Sequence, residues 1–144
     1  MKNFLNRETL LKKEELEVKE VNLSDDESIF VRQMTGRERD TFEQSLIKKT
    51  YDKKGAVIGF EQATDDFRAK LAVCTVCDKK GILLLKPLDY PLLSQNMSAA
   101  KLEKIVNAAQ KLNAISEEDK EELVKNSVVG PADNSTSDSV ESSK

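Results

Sequence analysis

Between Ser28 and Glu43 the spacing of apolar residues changes from that of a strand to that of a helix, and this change narrows the folds open to the chain. Ile29 and Val31 alternate with polar neighbours, as in a half-buried strand. Thr35 is then placed to cap a helix. Glu38, three residues on, completes the pattern of a capping box, in which hydroxyl and carboxylate each take up a backbone N–H that the first turn leaves unpaired. A strand that hands over to a helix within so few residues argues against a simple helical bundle.

The residues on either side extend the pattern. Glu17 to Leu23 carries Val18, Val21 and Leu23, with a slip between the two valines, and Ser24 to Glu27 has the composition of a turn. With Ser28 to Met34 this predicts a β-hairpin closed by a short acidic loop. An isolated hairpin is marginal in water, so something must cover its apolar face. A helix from Gly36 to about Thr50 is the expected cover, with Phe42, Leu46 and Ile47 on its inner side and Lys48 and Lys49 in its last turn. Tyr51 to Ala56 reads as a loop. A short helix over Asn6 to Glu15, capped by Asn6, should present Leu10 and Leu11 as a narrow apolar edge.

Further along, Thr64 is a candidate cap for a helix from Asp65 to Val76, in which Phe67, Leu71 and Cys74 fall at i, i+4 and i+7. Gly81 to Leu85 suits a small edge strand, and Pro87 and Pro91 should break regular structure. Ser98 caps the cleanest amphipathic helix, Ala99 to Leu112, with Leu102, Ile105, Val106, Ala109 and Leu112 on one side. Ser116 and Asp119 open a last helix that should end near Asn126. Beyond it Ser, Asp, Asn, Gly and Pro dominate. Such a segment buries too little apolar surface to offset the entropy of ordering it, so residues 127–144 are expected to be a disordered tail. No long internal repeat is visible. The expected fold is one α+β domain over residues 1–126, an N-terminal β-hairpin packed by three to four α-helices.

Composition excludes more chemistry than it suggests. The chain of 144 residues has no histidine and no tryptophan. The absent histidine removes the commonest general base and metal ligand, and with it any Ser-His-Asp or Cys-His site within one chain. Charged residues make up 34% and are intermixed to a net charge of −3, which offers no electrostatic case for nucleic acid or an anionic membrane. No apolar run reaches the length of a membrane span, and the N-terminus lacks a signal-peptide core, so a cytosolic setting with reduced cysteines is expected.

Cys74 and Cys77 form a C-x-x-C pair near the end of a predicted helix. A redox dithiol is activated at a helix start, whereas a helix end raises the thiol pKa, so the pair reads as core thiols; a small thiol protein using them is the alternative. Two thiolates without a histidine do not make a zinc site, and no Gly-rich loop offers a nucleotide site; no cofactor and no catalytic residue are expected. Asp65, Asp66, Glu117, Glu118 and Asp119 sit where helix starts attract acidic residues. Arg37 and Arg39 flank Glu38 and can contact phosphate or a partner's acidic residues, or serve as solvated or structurally paired charges. The apolar side of the helix Ala99 to Leu112, with Leu102, Ile105, Val106 and Ala109, can be core or a face for a partner helix.

Four segments taken in order carry a resemblance: Phe4 to Leu11 with Glu17 to Val21, Val31 to Glu43, Phe67 to Asp78, and Ala108 to Ser116. Together they resemble the tail assembly chaperones of long-tailed bacteriophages and prophages, over about residues 4–126 and most strongly over 28–78. The resemblance implies a non-enzymatic protein of the bacterial host cytoplasm that binds the phage tape measure protein, keeps its long hydrophobic helices soluble while the tail tube assembles, and is absent from the finished virion. The major tail tube protein and a second copy of the chain are further partners to consider. Many members are made in two lengths by translational frameshifting. The family has no catalytic residues to carry over. The principal alternative is a structural tail-completion or connector subunit that stays in the particle.

Overall fold

The computed structural model describes residues 1–62, 64–116 and 118–119. The chain is α+β. Its elements run α1 (Arg7–Leu11), β1 (Val18–Asn22), β2 (Ser28–Arg32), α2 (Gly36–Gln44), β3 (Ile47–Tyr51), β4 (Val57–Gln62), α3 (Phe67–Thr75), β5 (Val76–Cys77), a 3-10 turn (Pro87–Asp89), α4 (Tyr90–Asn96) and α5 (Ala99–Leu112).

The expected N-terminal hairpin is present. β1 and β2 pair antiparallel with Val21 opposite Ile29 and Lys19 opposite Val31, and the Leu23 and Ser24 N–H groups close the acidic turn on the Glu27 carbonyl. β5 adds a third strand on the other edge of β2, with Val31 opposite Val76. The sheet order is therefore β1-β2-β5. Helices α3 and α5 pack together, and α5 lies against β1 and β2. Val31, Phe42, Leu46, Phe67, Leu71, Ile105 and Val106 meet in the core between them. Phe42 and Phe67 touch edge to face at 5.6 Å between ring centres, an arrangement that aromatic quadrupoles favour.

The handover from strand to helix follows the sequence closely. Glu38 N–H donates to Thr35 Oγ1 at 3.2 Å, and Thr35 N–H donates to Glu38 Oε1 at 2.9 Å. Asn6 and Ser98 likewise cap α1 and α5. The reciprocal bonds between Ser116 and Asp119 mark the expected start of a last helix. The remainder of that helix, its end near Asn126 and the tail 127–144 lie outside the described residues.

Five expectations are corrected. The first concerns the long helix, which stops at Gln44 instead of reaching Thr50. The Lys70 ammonium donates to the Ser45 carbonyl at 2.9 Å and so satisfies an acceptor that continuing the helix would have used. Ile47, Thr50, Tyr51, Val57, Ile58 and Phe60 are β-branched or aromatic, and they form a second hairpin, β3–β4. Lys48 and Lys49 are thus strand residues, and the expected loop is the tip of that hairpin. Second, α3 begins at Phe67, and neither Thr64 nor Asp65 belongs to it. Asp66 holds φ at +62°, a region that Asp tolerates better than most residues, and its carboxylate accepts from Ser94 Oγ at 2.6 Å instead of capping the helix.

Third, Pro87 and Pro91 initiate structure. They occupy first-turn positions of the 3-10 turn and of α4, where a missing N–H costs nothing. Fourth, Gly81 to Leu85 forms no strand, only a bridge from Leu83 to Cys77. Fifth, α1 is shorter than expected, and none of its residues is buried.

The two hairpin-like turns share a four-residue motif. Asp-Lys-Lys-Gly occurs at 52–55 and again at 78–81. Each aspartate's Oδ1 accepts two backbone N–H groups, from Lys54 and Ala56 in one turn and from Lys80 and Ile82 in the other, at 2.8–3.0 Å. The glycines sit at φ +87° and +88°, a left-handed conformation that costs glycine nothing.

Candidate interaction surfaces

Of the residues singled out for partner binding, most serve the fold. Leu102, Ile105, Val106 and Ala109 are all at most 5% exposed. The chain's own core occupies that side of α5, so it offers no face to a partner. Arg39 pairs with Glu43 at 2.9 Å and donates to the Asn113 carbonyl at 3.0 Å, which ties α2 to the end of α5. Arg37 is exposed and makes no ion pair among the described residues.

Arg32 is the charged residue that sequence reasoning missed. Its position in a strand next to a buried valine gave no sign that it would itself be covered. It is 7% exposed, and its Nη2 donates to Glu38 Oε2 at 2.7 Å. Glu38 therefore serves both the Thr35 cap and this ion pair. The Arg32 charge also acts on both cysteines, yet burial dominates there. Burial, helped by the Glu38 carboxylate, pushes the Cys74 thiol up to about 11 against the opposing pull of Arg32. Burial likewise pushes the Cys77 thiol up. Both stay protonated at neutral pH, the reverse of what an attacking thiolate needs. The cause is desolvation more than the helix end invoked from the sequence.

No protein-family model, curated protein or solved structure matches this chain. Its surface is the remaining guide. Among the described residues no group of three or more His, Cys, Asp or Glu side chains is gathered as metal ligands are, and no helix is long and apolar enough to cross a membrane.

Large apolar side chains at the surface fall into three places. The N-terminal arm exposes Phe4, Leu5, Leu10 and Leu11. A second group is Ile82, Leu84, Leu88 and Leu92, of which Leu92 lines a groove of about 690 Å³ with Leu85, Leu93, Met97 and Lys101 among others. The third is the β3–β4 hairpin. Alternation places Ile47, Lys49 and Tyr51 on one face of β3, and Lys49 lies opposite Phe60 on β4. The register then slips, so that Tyr51 meets Val57 and Ile58 is the extra residue. Alternation back from Phe60 puts Ile58 on that side, and pairing with Tyr51 puts Val57 there too. Ile47, Tyr51, Val57, Ile58 and Phe60 thus share a face, and each is 39–62% exposed. The other face carries Lys48 opposite Glu61 and Thr50 opposite Gly59.

Proposed function

We propose that this protein is a non-enzymatic chaperone of phage tail assembly, one that binds the tape measure protein and keeps its long apolar helices soluble while the tail tube forms. The observation that carries the reading is the amount of large apolar side chain held at the surface of a charged scaffold. Phe4, Leu5, Leu10 and Leu11, the face of the β3–β4 hairpin, and Leu84, Leu88 and Leu92 are all exposed, while charged residues make up 34% of the chain. A holdase needs both properties at once. Apolar surface attracts the client, and interspersed charge keeps the free protein from associating with itself. The ordered segments that resemble the tail assembly chaperones support the same reading from the sequence side. Under it the protein acts in the host cytoplasm and leaves before the virion is complete.

Co-expression tests it. The tape measure protein from the same genome should move from the insoluble to the soluble fraction when this chain is present, and the two should co-purify. A tape measure protein no more soluble with the chain than without it removes the proposal. Mass spectrometry of purified virions separates the chaperone from a retained structural subunit, since stoichiometric amounts in the particle would require the latter.

A further inference from the structure

The geometry points to the β3–β4 hairpin as a docking arm for an amphipathic α-helix whose apolar stripe is flanked by acidic residues. This deepens the reading above and rests on it for the partner's identity; the chemistry of the surface comes from the arm itself.

A two-stranded hairpin is marginal in water and gains stability from a third strand or from a helix laid across its apolar face. Among the described residues no helix lies across this one. Its face of Ile47, Tyr51, Val57, Ile58 and Phe60 leaves on the order of 400 Å² of apolar surface open, within the range of the largest patch on a monomer, which is often functional. The strands span roughly 17–20 Å, which a helix of about 12 residues matches.

The charge around the face selects the flanks of that helix. Lys49 lies on the apolar face, and Lys53 and Lys54 sit at the tip. None of the three has an ion pair among the described residues. The nearest carboxylate in sequence, Asp52, is engaged by the backbone N–H groups of its own turn, and Glu61 stands on the opposite face across from Lys48. Acidic flanks on the partner would meet three unpaired ammonium groups. A second copy of the chain is a poorer fit. It brings the same lysines to the interface, and the face is about half the roughly 800 Å² per partner of a standard stable interface.

The probes are two synthetic helices of about 18 residues with one leucine stripe, flanked by Glu in the first and by Lys in the second. Binding to the full chain is read by fluorescence anisotropy of the labelled peptide. The Glu-flanked helix should bind at least about tenfold more tightly, with the advantage shrinking in high salt. Joint substitution Ile58→Asp and Phe60→Ser should abolish that binding, whereas Leu88→Asp in the group of Ile82, Leu84, Leu88 and Leu92 should leave it unchanged. Should the arm variant lose its circular-dichroism signal, charge reversal Lys49→Glu, Lys53→Glu and Lys54→Glu takes its place and should switch the preference to the Lys-flanked helix. Equal binding of the two helices, or wild-type binding by the arm variants, overturns the inference. So does tightening by about tenfold on removal of residues 120–144, which would make the chain's own acidic segment the occupant. A dimer that the arm substitutions dissolve would overturn it in favour of a second copy. In the co-expression assay, a tape measure protein left insoluble by the wild-type chain defeats the proposed function and leaves the peptide result standing. A client rescued equally by wild type and arm variant defeats the docking arm alone.

Discussion

Replacing Ile105 by alanine tests whether the apolar side of α5 is core, since its sequence pattern suited core and partner face alike. Ile105 is 1% exposed in the layer where α5 meets α3, β1 and β2. The substitution removes three carbons from a site with no access to solvent. At about 0.8 kcal/mol for each, the transfer part comes to about 2.4 kcal/mol. A residual cavity of about 50 Å³, at about 24 cal/mol per Å³, adds about 1.2 kcal/mol. The expected loss is thus about 3.5 kcal/mol, a large part of a small domain's stability. With an m-value of about 1.5 kcal/mol/M, the urea midpoint should fall by about 2 M. The chain has no tryptophan, so unfolding is best followed by circular dichroism at the helix band. If Ile105→Ala is unfolded outright, Ile105→Val supplies a graded value near 1 kcal/mol. Ile58→Ala on the arm, where the side chain is 62% exposed, should change stability by no more than about 0.5 kcal/mol. A midpoint for Ile105→Ala within about 0.3 M of wild type would refute the argument, because it would mean that this face of α5 is not packed.

Three more outcomes are expected. Asn113→Ala should cost about 1–3 kcal/mol, since Asn113 Oδ1 accepts the Met34 N–H at 2.6 Å and its loss leaves a part-buried donor unpaired; urea unfolding reads this, and a neutral result would show that the junction does not depend on α5. Glu38→Ala removes the cap on Thr35 and the partner of buried Arg32 together, and should cost about 2–4 kcal/mol, more than Glu43→Ala, which loses only a solvent-accessible pair worth at most about 1 kcal/mol. Cys74 should alkylate at pH 7.5 roughly a hundredfold more slowly than after unfolding, in line with a thiol at about 11 against an ordinary value of 9.0. Because the folded protein holds that proton more tightly than the unfolded chain, the Cys74 contribution to stability is complete below about pH 9. It declines as pH rises towards 11, so thermal unfolding of Cys74→Ser should fall less steeply over that range than wild type.

The features legible in the residues alone are those whose partners lie within four positions. The Thr35–Glu38 box, the caps at Asn6 and Ser98, and the Ser116–Asp119 pair are all local exchanges of a side-chain oxygen for a backbone N–H, so a short window of sequence contains both halves of each bond. The first hairpin was legible for the same reason, its turn residues lying between two alternating runs. The end of α2 was not. Phe42, Leu46 and Ile47 suit a helical stripe, and Ile47, Lys49 and Tyr51 equally suit a strand face. The choice falls to Lys70, whose ammonium reaches the Ser45 carbonyl from another helix. The second hairpin, and with it the apolar arm, follows from that long-range contact and from the Asp52–Gly55 turn.

The same division applies to the surface. Amphipathic spacing marks Leu102, Ile105, Val106 and Ala109 as one side of a helix, but periodicity is the same whether that side meets the chain's own sheet or a partner. Only tertiary packing decides between the two, and here it commits α5 to the core. It also seats β5 beside β2, covers Arg32 and anchors the strand-to-helix handover through Asn113, contacts between residues far apart in sequence. Residues close together in the chain suffice to start α1, α2 and α5 and to turn the first hairpin, because those bonds are short-range. The tertiary structure decided which apolar faces are consumed and which remain open, because burial depends on what each face meets.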